Sequence, residues 1–147
     1  MSHVRQQIRE ALKAVLKGLP ITQDRVFVNR VDPILKGTVP ALTIRTGNDQ
    51  KTEVITMGKP ALVARQVDVF VTAYAVGDEV DDQLDDICIE VEKTIASNST
   101  LSGLVKNIEY MESEHDLERS EKLKGIRENG FQCIYFIQED DPETALN

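Results

Sequence analysis

Apolar side chains recur along this chain at two different periods, and the changes of period mark its elements. Val4, Ile8, Ala11, Leu12, Val15 and Leu16 share one side of a helical wheel, which predicts an amphipathic helix over residues 2–17. Ser2 can cap its start, and Gly18 followed by Pro20 stops it. Val80, Leu84, Ile87, Cys88, Val91 and Ile95 form a second, narrower stripe, predicting a helix over 78–97. Gly77 or Asp78 can cap this one, and its early acids suit the positive end of a helix dipole.

Elsewhere the period is two. Residues 25–31 are β-rich, and Asp32-Pro33 and Lys36-Gly37 then mark a loop. Residues 41–46 alternate as a strand that ends at the turn residues Gly47-Asn48-Asp49. A polar run at 52–56 reads as a short extra strand or a projecting hairpin. The longest strand spans 61–75. Val63, Val67, Val69, Val71, Ala73 and Ala75 face the core, and Gln66, Asp68, Phe70, Thr72 and Tyr74 face the other way. Two more strands are predicted at 104–111 and 131–137. In the last, Phe131, Cys133 and Tyr135 oppose Ile134 and Phe136, so both faces are apolar. Such a strand is central, or its second face is covered by another subunit. On this ground Phe70, Tyr74, Ile134 and Phe136 are the candidate subunit-interface residues. Residues 112–124, with His115, read as a charged, exposed connection. The whole predicts an α+β fold: a mixed, mainly antiparallel sheet of about 4–6 strands on two main helices, in the order α-β-β-(β)-β-α-β-β. Residues 1–138 are read as one domain and 139–147 as a flexible acidic tail.

Charge changes this picture from a fold into a surface. Residues 1–77 carry 11 Lys+Arg against 6 Asp+Glu, and residues 78–147 carry 6 against 19. A chain with a net charge of −8 is poorly suited to grip phosphate, but its polarised halves suit head-to-tail self-association. No apolar run approaches the roughly 20 residues that span a bilayer, and the start lacks the apolar stretch of a signal peptide, so a cytoplasmic protein is expected. Two cysteines, Cys88 and Cys133, fall on apolar positions and read as buried free thiols.

Candidate chemistry is sparse. Asp81-Asp82-Gln83-Leu84-Asp85-Asp86 matches the D-D-x-x-D pattern with which isoprenyl diphosphate synthases hold magnesium, yet no second acidic motif exists to face it. Asp82 and Asp86 are therefore at most weak divalent-ion candidates on a solvated helix face. His3 and His115 have no Cys or second His at ligand spacing. There is no nucleophile elbow, dinucleotide fingerprint or phosphate loop. No catalytic residue, cofactor or enzymatic activity is expected.

One ordered set of phrases resembles a known family. It runs through Ile8-Arg9-Glu10-Ala11-Leu12, Leu16-Lys17-Gly18-Leu19, Thr22, Arg25-Val26-Phe27 and Pro40-Ala41-Leu42-Thr43-Ile44. It continues with Thr46-Gly47-Asn48-Asp49, the run from Arg65 to Ala75, Asp81-Asp82-Gln83-Leu84-Asp85 and Ile89-Glu90-Val91-Glu92. Leu101-Ser102-Gly103-Leu104-Val105, Tyr110, Glu114 and the strand from Phe131 to Tyr135 complete it. This order resembles the tail terminator (tail completion) proteins of long-tailed bacteriophages, the lambda-type minor tail proteins. The resemblance implies an α+β subunit of a hexameric ring in the virion, assembled in the host cytoplasm. That ring docks on the last ring of the tail tube protein, stops tube growth and presents a surface to the head-completion (neck) protein. DNA passes through it without sequence-specific binding. A neck adaptor joining head to tail, or a cellular oligomeric α+β module, are the other classes that the same residues allow.

Overall fold

The structure is a computed structural model and describes residues 2–28, 39–119 and 123–146. In chain order these form α1 (Val4–Leu16), β1 (Val26–Phe27), β2 (Ala41–Val54), β3 (Leu62–Val76), α2 (Val80–Ser97), β4 (Asn107–Arg119) and β5 (Leu123–Gln138). The strands make one five-stranded mixed sheet in the order β1-β2-β3-β5-β4, parallel only between β1 and β2. This is an α+β architecture.

Both helices form where their stripes predict. Val4, Ile8, Leu12 and Leu16 of α1 are buried, as are Val80, Leu84, Ile87, Cys88, Val91 and Ile95 of α2. The cap of α1 is His3 rather than Ser2, because the His3 Nδ1 accepts the Arg5 N–H at 3.1 Å. At α2 the cap is Glu79, one residue past the expected pair, with no side-chain bond. α1 packs on β1 and β2, α2 on β3, β4 and β5, and the two helices touch each other. They cover a single face of the sheet. Val67, Val69, Val71 and Ala73 of β3 and Cys133 and Tyr135 of β5 lie wholly buried beneath them. Each such large apolar side chain stabilises the fold by about 1.5–3 kcal/mol.

Gly125 sets how closely α2 approaches: a Cβ there would lie 2.6 Å from Val80 Cγ2 and 2.7 Å from Leu84 Cδ1. Asn129 is a buried polar residue on the same face. It donates to the Val71 carbonyl at 3.2 Å and meets the Cys88 sulfur at 3.3 Å, so its amide is satisfied.

Three expectations need correcting. Gly47-Asn48-Asp49 does not end β2. The strand absorbs those residues as an irregularity between Thr46 and Asp49 and continues to Val54. The run at 52–56 is therefore largely the far end of β2 and not a separate strand. Most of the stretch 112–124 is paired, from Glu112 opposite Gly130 to Arg119 opposite Leu123, so it forms a long hairpin and not a loose connection. Its charges reflect an edge strand with one open face, where alternation has no second apolar partner to reveal it. Residues 104–106 precede β4. Of the strand expected at 25–31, residues 29–31 lie outside the described residues, as do the loop signals at 32–37 and the His115 side chain.

The acidic C-terminal stretch, expected to be flexible, lies against the body. The Val4 N–H donates to the Pro142 carbonyl at 2.9 Å, and the Gln7 amide to the Glu143 carbonyl at 2.7 Å. Leu146 N–H reaches the Phe136 carbonyl at 2.8 Å, just beyond the start of β4. Open amides at the start of α1 give this segment a partner that composition alone does not show.

Candidate subunit interface

The face of the sheet away from the helices carries the four candidate interface residues. Cross-strand pairing fixes this: Phe70 opposes Gly130, Tyr74 opposes Ile126, Gln66 opposes Ile134 and Ala64 opposes Phe136. All four lie on one side of the sheet, half-buried. They do not form one patch. Ten positions of β3 separate the Tyr74 row from the Phe136 row, about 33 Å at strand spacing. Ile134 and Phe136 sit near one end, Tyr74 near the other, and Phe70 between them.

Phe70 is the best-framed of the four. The Arg45 guanidinium lies 4.1 Å from the centre of its ring and pairs with Glu128 at 3.0 Å. Glycines border the ring on both sides. A Cβ on Gly47 would come 2.8 Å from Phe70 Cε2, and one on Gly130 would come 3.7 Å from Cε1. Beside the ring is a shallow depression of about 280 Å³, lined by Asp68, Phe70, Met111, Glu112, Gly130, Phe131 and Gln132. An irregularity between Tyr110 and Glu112 sets Met111 out of the regular alternation, and the missing side chain at Gly130 leaves the space open. Phe136 is met by Lys106, whose Nζ lies 5.8 Å from the ring centre.

Asp82 and Asp86 are exposed on α2 and line a separate cleft of about 480 Å³ with Ile21, Val76, Gly77, Asp78, Glu79 and Gln83. Among the described residues no three His, Cys, Asp or Glu side chains come together in a way that could hold a metal ion.

Sequence reasoning missed the densest polar cluster, which sits on the covered face. Asp49 turns inward at the irregularity in β2, and its side chain is 1% exposed. Arg65 grips it with two bonds, Nε to Oδ1 at 3.0 Å and an Nη2 to Oδ2 at 2.7 Å. The Tyr135 hydroxyl donates to Oδ2 at 2.5 Å, and Arg5 approaches the same oxygen at 3.4 Å. Burial and the Asp49 carboxylate together push the Tyr135 hydroxyl well above its ordinary range. Burial and the nearby Arg5 lower His3, which fits its role as a neutral acceptor in the α1 cap. Burial likewise raises both thiols, Cys133 to about 12, so neither is a ready nucleophile. With all its partners supplied by its own chain, the Asp49 cluster is a clasp between α1, β2, β3 and β5. In register Asp49 opposes Val67 and Arg65 opposes Lys51, so the pair meets diagonally across the strands, and the turn-forming Gly-Asn before Asp49 hid its strand placement.

No protein-family model matches this sequence, and no curated protein matches it. No helix among the described residues is long and apolar enough to cross a membrane.

Proposed function

We propose that this protein is a tail-terminator subunit: a structural virion protein that forms a hexameric ring on the head-proximal end of a phage tail tube. The observation that carries the reading is the helix-free sheet face, where Phe70, Tyr74, Ile134 and Phe136 stay half-covered and no further layer among the described residues lies over them. Such a face suits a partner surface with an apolar centre and a polar rim. The ordered resemblance along nearly the whole sequence points the same way, as does the terminator-like alternation of helix and strands.

The mechanism needs no reaction. A growing tube ends in a ring of unsatisfied interfaces. A capping ring matches that end on one face and offers a different surface on the other, which stops growth and receives the head-completion protein. Acidic residues suit the bore, because a basic lining would hold the passing DNA.

Solution mass over a wide concentration range, with and without purified tail tubes, tests the ring. Rings of six copies, free or on tube ends, are expected, and a strictly monomeric protein in both conditions overturns the reading. Phage lacking the protein should make heads and tails that fail to join, with tails of variable length. Adding it back should restore joining without a nucleotide.

A further inference from the structure

The hairpin turn between β2 and β3 is the most solvent-exposed apolar feature among the described residues. Val54 is 53% exposed, Ile55 40% and Met57 100%. Every residue from 51 to 60 is exposed. The turn is nonetheless built: Ile55 and Thr56 N–H groups both reach the Leu62 carbonyl, at 2.8 and 3.3 Å, and the Leu62 N–H donates to Thr56 Oγ1 at 2.7 Å. Three uncovered apolar side chains on an ordered projection form a pre-shaped knob.

We propose that this knob, with Met57 at its tip, seats in the depression beside Phe70 on the open sheet face of a second copy of this chain. The socket offers what the knob lacks. Phe70 and Met111 supply apolar walls, and Gly130 leaves the space. The charges match in sign. Lys51 and Lys59 flank the knob, where Glu53 is the one acid between residues 50 and 60, whereas Asp68 and Glu112 stand at the socket. Glu109 and Glu114 are exposed further along β4. Lys59 has a present partner, Glu139 at 3.2 Å, but its side chain is 84% exposed there, so exchanging that pair for an acid of the socket costs little.

The same chain cannot make the contact. Phe70 lies eight positions along β3 from Leu62, about 26 Å away, and the knob is the turn that leads into that very strand. A contact between two different surfaces of identical copies is head-to-tail, the kind that closes into a ring when the rotation allows. The inference deepens the tail-terminator reading and rests on it for the number of copies, but not for the contact itself.

The test uses the full-length protein with Met57→Glu, Met57→Leu, Asp68→Lys and the pair Lys59→Glu with Asp68→Lys. Association is measured by mass against concentration, and folding by thermal melting, which exposed positions should barely shift. Met57→Glu and Asp68→Lys should each weaken association at least about tenfold, Met57→Leu should retain it, and the charge-swapped pair should regain part of the loss. If the native chain forms rings and Met57→Glu forms them equally well, the knob-and-socket contact is wrong and the ring stands. If association depends on Met57 but yields only dimers or open filaments, the contact stands and the terminator ring falls. A native chain that never associates, with or without tubes, removes both.

Discussion

The two faces of the sheet are made by the same strands and obey the same alternation, yet they have opposite economies. On the covered face, Val67, Val69, Val71 and Ala73 are wholly buried, and the Asp49 carboxylate is engaged by Arg65, Tyr135 and Arg5. On the open face, Phe70 and Tyr74 are half-covered, Asp68 stands beside them, and the ion pair nearest Phe70, Arg45 with Glu128, is exposed. The difference teaches where each kind of contact counts. A charge pair inside the covered face holds the fold together, whereas a charge on the open face is free to be used on something else.

Removing Asp49 is the severest way to probe this contrast. Asp49→Ala leaves Arg65 and the Tyr135 hydroxyl without their acceptor beneath α1, and should cost about 3 kcal/mol. Chemical denaturation reads this directly, and a loss under about 1 kcal/mol would mean that water replaces the carboxylate easily.

Two glycines of β5 give the next comparison. Gly125→Val thrusts a side chain into Val80 and Leu84 and should cost about 1–3 kcal/mol. Gly130→Ala meets Glu112 Cγ at an ordinary 3.5 Å and should stay within about 0.5 kcal/mol. Equal melting shifts for the two would show that the open face is as tightly packed as the covered one.

Alkaline pH offers a gentler probe. Cys133 and Tyr135 both have raised values in the fold, the thiol rising from 9.0 to about 12. For a group raised above its unfolded value, the contribution is complete below the unfolded value and lost as pH climbs towards the folded one. Stability should therefore fall from about pH 9 upward. Cys133→Ala should flatten the early part of that fall and Tyr135→Phe the later part. Urea midpoints at stepped pH decide it, and unchanged slopes in both variants would locate the titration elsewhere.

Small too should be the effect of the double variant Asp82→Ala, Asp86→Ala. Both acids are exposed on α2, so each change should alter stability by about 1 kcal/mol or less. Collapse of the fold would mean that this part of α2 is turned towards the core.

The covered face was the legible one. The helix stripes and the run from Val63 to Ala75 could be read directly, because burial against a helix writes a strict apolar period into both partners. The candidate interface residues were assigned to a second face for the same reason, by alternation within β3 and β5. What could not be read follows from partners distant in sequence. Gly47-Asn48-Asp49 has the local composition of a turn, and only pairing with β3 carries it on as strand and turns Asp49 inward. The β4–β5 hairpin lacks an apolar period over residues 112–119, so its pairing was invisible. The socket beside Phe70 is an absence, a missing side chain at Gly130 next to a displaced Met111, and a pattern of residue types records no such space.

The Asp49 clasp also bears on how the molecule opens. Arg5 belongs to the first turn of α1, and the Val4 and Gln7 groups beside it hold the C-terminal stretch. α1 cannot lift without stripping Asp49 of a partner and freeing residues 142–143, so helix, chain end and the centre of the sheet should breathe as one cooperative unit. Amide protons of α1 should then exchange with solvent in step with those of β3 and β5, while those of the β2–β3 turn exchange much sooner and independently.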